Sequence, residues 1–154
     1  MNLKQKTIAV TGAGQGLGRS MAVELARKGA NIAVIDLNEE AMHETQRQVN
    51  ALGSEARCYV CNVADEESVE TTFNAIAADF GGLHGLVNNA GVLRDALMVK
   101  AKGDEITKMS LAQWQTVIDV NLTGVFLCGR EAAVHMIRGK EPGSIINISS
   151  ISRA

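Results

Sequence analysis

The sequence has no large excess of either charge. Fifteen Lys and Arg stand against 17 Asp and Glu, a formal net charge of −2 with His neutral. That balance argues against a nucleic-acid or anionic-membrane binder, while leaving room for a small local basic patch. Long hydrophobic runs are absent too. The first apolar run, Thr7 to Val10, is too short for a signal segment and leads straight into glycines. Nothing approaches the roughly 18 consecutive apolar residues of a membrane span. Cysteine is sparse and odd in number: Cys58, Cys61 and Cys128. An odd count argues against a disulfide framework. Cys58 and Cys61 have CxxC spacing, but the run around Tyr59 and Val60 reads as a strand, so the two side chains point to opposite faces. A zinc site would need further ligands, and His84 alone does not supply them. The expectation is a cytoplasmic, reduced protein with no metal.

What is present is enough for one domain with a core. The chain has 154 residues, of which 46% are hydrophobic, so it is not a disordered chain. Short apolar runs alternate with helical stretches. Strands are expected at Thr7–Thr11, Asn31–Asp36, Ala56–Cys61, His84–Asn88 and Ser144–Ser149. Helices are expected from Ser20 to Lys28, Glu39 to Leu52, Asp65 to Phe80 and Leu111 to about Arg138. Gly29, Gly53 and Gly81–Gly82 end the first three, and Pro142 lies in the break after the fourth. Asp65 and Ser110 read as N-caps. The strands are continuous apolar runs rather than alternating ones, the mark of a parallel sheet buried on both faces. Right-handed crossovers place helices on both sides. The fold class is therefore α/β: a three-layer Rossmann-type parallel sheet of five strands, one domain over 1–154. The stretch Val92 to Met109 is long for a connection in such a fold and reads as a lid or a mobile insertion.

The run Thr11-Gly12-Ala13-Gly14-Gln15-Gly16-Leu17-Gly18 falls between a strand and a helix. Gly12 can make the tight turn, and Gly16 and Gly18 let backbone approach a phosphate or a strand. The free N–H groups of the first helical turn would face a pyrophosphate. GxGxxG fails here because Leu17 occupies its last glycine place; the spacing that fits is GxxxGxG. In a strand–turn–helix setting this points to a dinucleotide. Asp36 closes the second strand, 24 residues beyond Gly12. Its carboxylate can accept from both ribose hydroxyls and would repel a 2′-phosphate. No Lys or Arg lies between Asp36 and Glu44, and Gln15 is neutral. The cofactor expected is NAD in preference to NADP. A helix or loop cap is the alternative role for Asp36.

Four segments in this order resemble the short-chain dehydrogenase/reductase family, within it the 3-oxoacyl-(acyl carrier protein) reductase-like group. They are the Thr11–Gly18 turn, Asn88-Asn89-Ala90-Gly91, Asn121 in Val-Asn-Leu-Thr-Gly, and Asn147-Ile148-Ser149-Ser150. Arg94, Asp95 and Met98 add to the likeness. The resemblance implies that Ser150 is the catalytic serine and that Asn121 holds a water in a proton relay. It implies cofactor contacts at Gly12, Gln15, Gly16, Leu17, Gly18, Asp36, Leu37, Asn62, Val63, Asn89, Ala90 and Gly91. Asn88 would support the central sheet. Family members usually carry Asp where this chain has Asn62, which still offers an acceptor and a donor. The resemblance also implies a small carbonyl or secondary-alcohol substrate, a 3-oxoacyl thioester being one such, that would exchange hydride with the nicotinamide. The complete protein would be a homotetramer or homodimer.

Independent physical arguments bear on some of these residues. Ser149 and Ser150 stand at the C-terminal end of a parallel strand, where open α/β sheets place ligands. Only one of two adjacent strand residues can face a given site, and Ser149 reads as a buried structural hydroxyl. Asn121 sits among apolar residues and needs a partner or a water if buried. His84 reads as structural, and His43 and His135 as solvated or interfacial. Trp114 with Leu111 and Val117 makes an apolar stripe that reads as packing. Arg19 opens a helix beside the glycine turn, either touching the cofactor or solvated. Lys100, Lys102 and Lys108 either steer an anion or belong to a wet loop, since Asp104 and Glu105 interrupt them.

The family's mechanism also implies a Tyr acting as acid or base, with a Lys four residues later. By resemblance that pair would lie beyond Ala154. Tyr59, the only Tyr, sits in the third strand with no Lys four positions on. The expectation is thus an oxidoreductase represented by its N-terminal part. The alternatives are a nucleotide-binding module without catalysis and a structural remnant of the fold.

Overall fold

In the computed structural model the described residues are 2–94, 96–140 and 142–150. Asp95 therefore lies outside them. The central sheet is parallel, with strands β1 (Thr7–Thr11), β2 (Asn31–Asp36), β3 (Ala56–Val60), β4 (Gly85–Asn88) and, last in the chain, β7 (Ser144–Asn147). Its order is β3-β2-β1-β4-β7. The register aligns Ala9 with Ala33 on one side and with Leu86 on the other. Side chains of β1 and β2 are buried on both faces, as continuous apolar runs require.

Alternation along the strands builds two cores. Ala9, Ala33 and Ile35 face helices α3 (Glu66–Phe80) and α5 (Gly124–Gly139), where Phe73, Ile76, Leu127 and Cys128 complete one cluster. Ile8, Val10, Ile32 and Val34 face α1 (Gly16–Arg27) and α2 (Glu39–Asn50), with Ala22, Ala26, Met42 and Val49. Cys58 packs against the second cluster and Cys61 belongs to the first. The CxxC pair is thus split across the sheet, and both thiols are free.

Several boundaries differ from expectation. Helix α1 begins at Gly16 rather than Ser20, because the glycines of the turn enter the helix. The expected helix from Leu111 is interrupted: α4 (Leu111–Ile118) runs into a π-helical turn, Asp119–Thr123, before α5. Part of Val92–Met109 is ordered as an antiparallel hairpin, β5 (Val99–Lys102) and β6 (Glu105–Lys108). Gly103 takes φ +60° at its turn, the left-handed value that a two-residue hairpin loop requires. The edge strand β7 is exposed along its length. No helix of the described residues is long and apolar enough to cross a membrane.

Candidate functional site

Three strand ends converge at the glycine turn. Gly12 takes φ +64°, and a Cβ there would come within 2.9 Å of the Ala90 Cα. Asn89 holds the turn from the next strand: its side-chain amide donates to the carbonyls of Thr11 (3.0 Å) and Gly12 (3.2 Å). The Thr11 hydroxyl oxygen accepts in return from the backbone N–H groups of Asn89 and Ala90, both at 3.0 Å. Gly18 lies so close to Gly12 that a Cβ would overlap its carbonyl oxygen. Gly16, at φ +54°, faces open space instead.

The N-terminus of α1 is left free of side chains. Helices α2, α3 and α4 are capped by Asn38, Asp65 and Ser110, whereas Gln15 caps α1 with no side-chain hydrogen bond. Its first N–H groups keep their donors for an anion. Asp36 closes the other side. Its Oδ2 accepts from the Gly14 N–H at 2.8 Å and its Oδ1 from the Asn38 N–H at 3.1 Å. A carboxylate has about four acceptor sites, so lone pairs remain for a ligand. Gly14 is a further required glycine: a Cβ would stand 2.9 Å from Asp36 Oδ2. Glu39 and Glu40 in the first turn of α2 add negative charge nearby.

These groups open on a cavity of about 250 Å³. Of the cofactor residues expected from sequence, Gly12, Gln15, Asp36, Leu37, Asn62 and Val63 line it, together with Asn89, Ala90 and Gly91. Gly16, Leu17 and Gly18 do not; Leu17 is exposed on α1 and Gly18 is buried in the packing of the turn. Cys61, Val92 and Val120 also line the cavity and were not anticipated. Its place directly before Asn62 in the chain is the sequence signal that could have flagged Cys61. The Asn62 Oδ1 accepts from the Ala64 N–H (3.1 Å). That bond fixes the amide and leaves its NH₂ as the remaining donor.

Asn121 sits in the π-helical turn and is exposed. Its Oδ1 accepts from the Val92 N–H (2.8 Å) and its Nδ2 donates to the Val92 carbonyl (3.0 Å). The side chain therefore clamps the strand-end loop, and the partner it needs is backbone. Asn88 is buried and donates to Asn147 Oδ1 (2.9 Å), joining β4 to β7. Ser150 is exposed at the same end of the sheet and is not among the residues lining the cavity.

Other expectations are corrected. Ser149 is exposed rather than buried, because the edge strand β7 ends at Asn147. Arg19 neither lines the cavity nor is solvated. It donates to the Gly14 carbonyl, to Thr45 Oγ1 (3.0 Å) and to the Ala41 carbonyl (3.1 Å), so it staples the glycine turn to α2. Trp114 is 56% exposed and Leu111 77%, so that stripe is not core. His135 is buried, with no hydrogen-bond partner at Nε2. His43 is exposed, and His84 is structural, its Nδ1 accepting from the Thr7 N–H (3.1 Å).

Tyr59 is no acid–base candidate. Burial and a hydrogen bond to Asp79 Oδ2 (2.8 Å) hold its phenol well above its ordinary pKa. The Cys128 thiol is pushed up to about 12 by burial, which makes it inert as a nucleophile. Among the described residues no three His, Cys, Asp or Glu side chains gather as a metal site.

Comparison with known proteins places this arrangement. The family model for short chain dehydrogenase matches residues 6–153. The chain is 39% identical over 147 residues to a 3-oxoacyl-(acyl-carrier-protein) reductase of Staphylococcus aureus strain N315, covering 95% of this chain and 56% of the relative. It is 40% identical over 151 residues to 3beta-hydroxysteroid dehydrogenase 1 of Eggerthella lenta, covering 97% and 55%. A short-chain type dehydrogenase/reductase from Mycobacterium marinum superposes with a TM-score of 0.86 at 30% identity, over 97% of this chain and 57% of the other. An NAD+-bound xylitol dehydrogenase gives 0.82 at 33%, over 97% and 55%. The chain spans about half the length of the curated relatives it matches.

Proposed function

Since the chain belongs to the short-chain dehydrogenase family, we propose that it forms the dinucleotide-binding part of an oxidoreductase that uses NAD(H) on a carbonyl or secondary-alcohol substrate. The observation that carries this reading is that one cavity is lined by the glycine turn, by Gln15 at the N-cap of α1, which makes no side-chain cap, and by the Asp36 carboxylate. The residues fit the cofactor. Gly16 leaves open space where a side chain would obstruct a phosphate, and the first N–H groups of α1 supply donors. Asp36 accepts from ribose hydroxyls, and with Glu39 and Glu40 it repels a 2′-phosphate, which favours NAD over NADP. Asn62 and Val63 hold the adenine, the Asn62 NH₂ offering a donor where a carboxylate would accept. When bound, the nicotinamide supplies or accepts the hydride.

Ser150 hydrogen-bonds the substrate oxygen from the C-terminal end of the sheet. Asn121 acts on the same region by fixing Val92, and it is also the residue suited to order a relay water. Tyr59 is not the proton donor: burial and its hydrogen bond to Asp79 keep the phenol protonated in a different part of the fold. A 3-oxoacyl thioester is one substrate consistent with the relatives' named activity; a steroid or polyol alcohol is equally consistent with others. The protein acts as a homo-oligomer in the cytoplasm. The second reading is a nucleotide-binding module without turnover: the residues lining the cavity suit a dinucleotide, and Ser150 is not among them.

The experiment is an assay of NADH oxidation with ketones and 3-oxoacyl thioesters, paired with NADH binding followed by fluorescence. Turnover that Ser150→Ala removes while NADH affinity stays unchanged supports the enzyme. Saturable binding with no turnover supports the second reading. Absence of binding overturns both.

A further inference from the structure

The glycine turn is held from the α2 side as well as from the neighbouring strand. Four consecutive carbonyls, Thr11 to Gly14, each accept from a side chain. Asn89 donates to the first two. The Thr45 hydroxyl donates to the Ala13 carbonyl at 2.7 Å, and the Arg19 guanidinium donates to the Gly14 carbonyl. Arg19 also donates from Nε to Thr45 Oγ1 (3.0 Å) and from Nη2 to the Ala41 carbonyl (3.1 Å). One planar fork thus ties the turn to two points on α2. Electrostatics alone disfavours Arg19 where it stands. It is the fourth residue of α1, the first turn holds no acidic residue, and a cation near a helix N-terminus opposes the dipole.

The direction of these bonds decides what the turn shows to a ligand. Gly12 and Gln15 line the dinucleotide cavity; Ala13, Gly14, Arg19, Ala41 and Thr45 do not. The Ala13 and Gly14 carbonyls are therefore drawn toward α2 and away from the cavity. In a trans peptide the N–H points opposite to the C=O. The Ala13–Gly14 peptide accordingly gives its N–H to Asp36 Oδ2. The next peptide, with its carbonyl on Arg19, turns the Gln15 N–H away from α2, at a residue that lines the cavity. With that peptide reversed, a carbonyl oxygen would face the cavity and repel a phosphate that the N–H would bind.

We infer that Arg19 is a positioning residue for the dinucleotide's diphosphate: it holds the Gly14 carbonyl so that the following peptide offers its N–H, and not its oxygen, to the phosphates. The inference rests on the reading of the cavity as the dinucleotide site.

The test compares ligands with and without the diphosphate. NADH, ADP and adenosine are each titrated by calorimetry into the whole chain and into Arg19→Met and Arg19→Lys. Arg19→Met is expected to weaken NADH and ADP by about tenfold, the size of one charge-assisted hydrogen bond, and to leave adenosine within about twofold. Arg19→Lys keeps the charge but lacks the fork, and is expected to weaken ADP by about fivefold. A merely structural role would weaken adenosine in step with ADP, and that result overturns the inference. So does unchanged ADP affinity in Arg19→Met, or full ADP affinity in Arg19→Lys, which would leave charge as the only contribution. Where circular dichroism shows that Arg19→Met does not fold, Arg19→Lys decides alone. The unsubstituted chain separates the two claims. If it binds neither NADH nor ADP, the dinucleotide reading falls and this inference with it. If it binds both, any of the overturning results sinks this inference alone.

Discussion

At the scale of single residues, two positions decide whether the turn can form and what it holds. Gly18 has no room for a methyl group against the Gly12 carbonyl and the Asn89 amide. Gly18→Ala is expected to destabilise the fold by about 2 kcal/mol or more, read as a lower urea midpoint with unchanged slope. Asp36 combines two roles, accepting from the Gly14 and Asn38 backbone and presenting its remaining lone pairs to the cavity. Asp36→Ser should weaken NADH binding by about tenfold, the size of a lost charge-assisted hydrogen bond, while NADPH binding improves. The glycine spacing and Asp36 were legible in the sequence because backbone geometry and charge demand those residue types. Arg19 was not, since its three acceptors lie on the glycine turn and on α2, brought together only by folding. His135 is similar: a helical position says nothing of which face α5 turns toward α3. Its burial, with the Arg138 charge as a second cause, lowers the imidazole pKa, and Glu131 opposes the shift. The folded state thus prefers neutral His135. Its contribution to stability is present above the unfolded pKa of about 6.5 and is lost as pH falls through the lowered folded value. Urea denaturation across that window should show stability falling toward acid, and His135→Gln should flatten the slope.

At the scale of elements, the interruption between α4 and α5 is the informative feature. A π-helical turn shifts the side-chain register within one continuous helical path, a device often met at functional sites. Here it aims Asn121 at the Val92 backbone, while Gly124 just beyond it lets α5 approach Val63 (a Cβ would lie 3.0 Å from its Cγ2). Asn121→Ala should cost about 1 kcal/mol, since both hydrogen bonds are exposed, and should weaken NADH binding because Val92 lines the cavity. Denaturant unfolding and NADH fluorescence check the two parts separately. The apolar pattern from Leu111 onward gave a helix but not this turn: no Pro marks it, and an apolar stripe is blind to one inserted residue. The hairpin is the reverse case. Its Gly103-Asp104 turn between Val99–Lys102 and Glu105–Lys108 is a local signal that the charged residues around it obscured.

At the scale of the whole molecule, the strand order β3-β2-β1-β4-β7 brings the glycine turn, Asp36, Asn62 and Asn89-Ala90-Gly91 to one end of the sheet. Parallel strands with helices on both faces produce that convergence, and continuous apolar runs in the strands made the architecture readable from sequence. Less readable was the outer surface, where Trp114, Phe126, Ile145 and Ile146 are exposed. Their apolar character alone reads as core, and only the arrangement of elements shows that α4, α5 and β7 leave them uncovered. A ligand that binds only the folded chain must stabilise it. NAD at about a hundredfold over its dissociation constant should add about 2.7 kcal/mol, visible as a rise in Tm. The central claim is narrower than any assay of turnover: one cavity, walled by Asp36, the glycine turn and the Gln15 N-cap of α1, takes NAD and discriminates against a 2′-phosphate. Calorimetric titration of the chain with NADH and with NADPH tests it most directly. The account predicts saturable one-to-one binding of NADH, with NADPH at least about tenfold weaker. Equal affinity for the two, or tighter binding of NADPH, would contradict it.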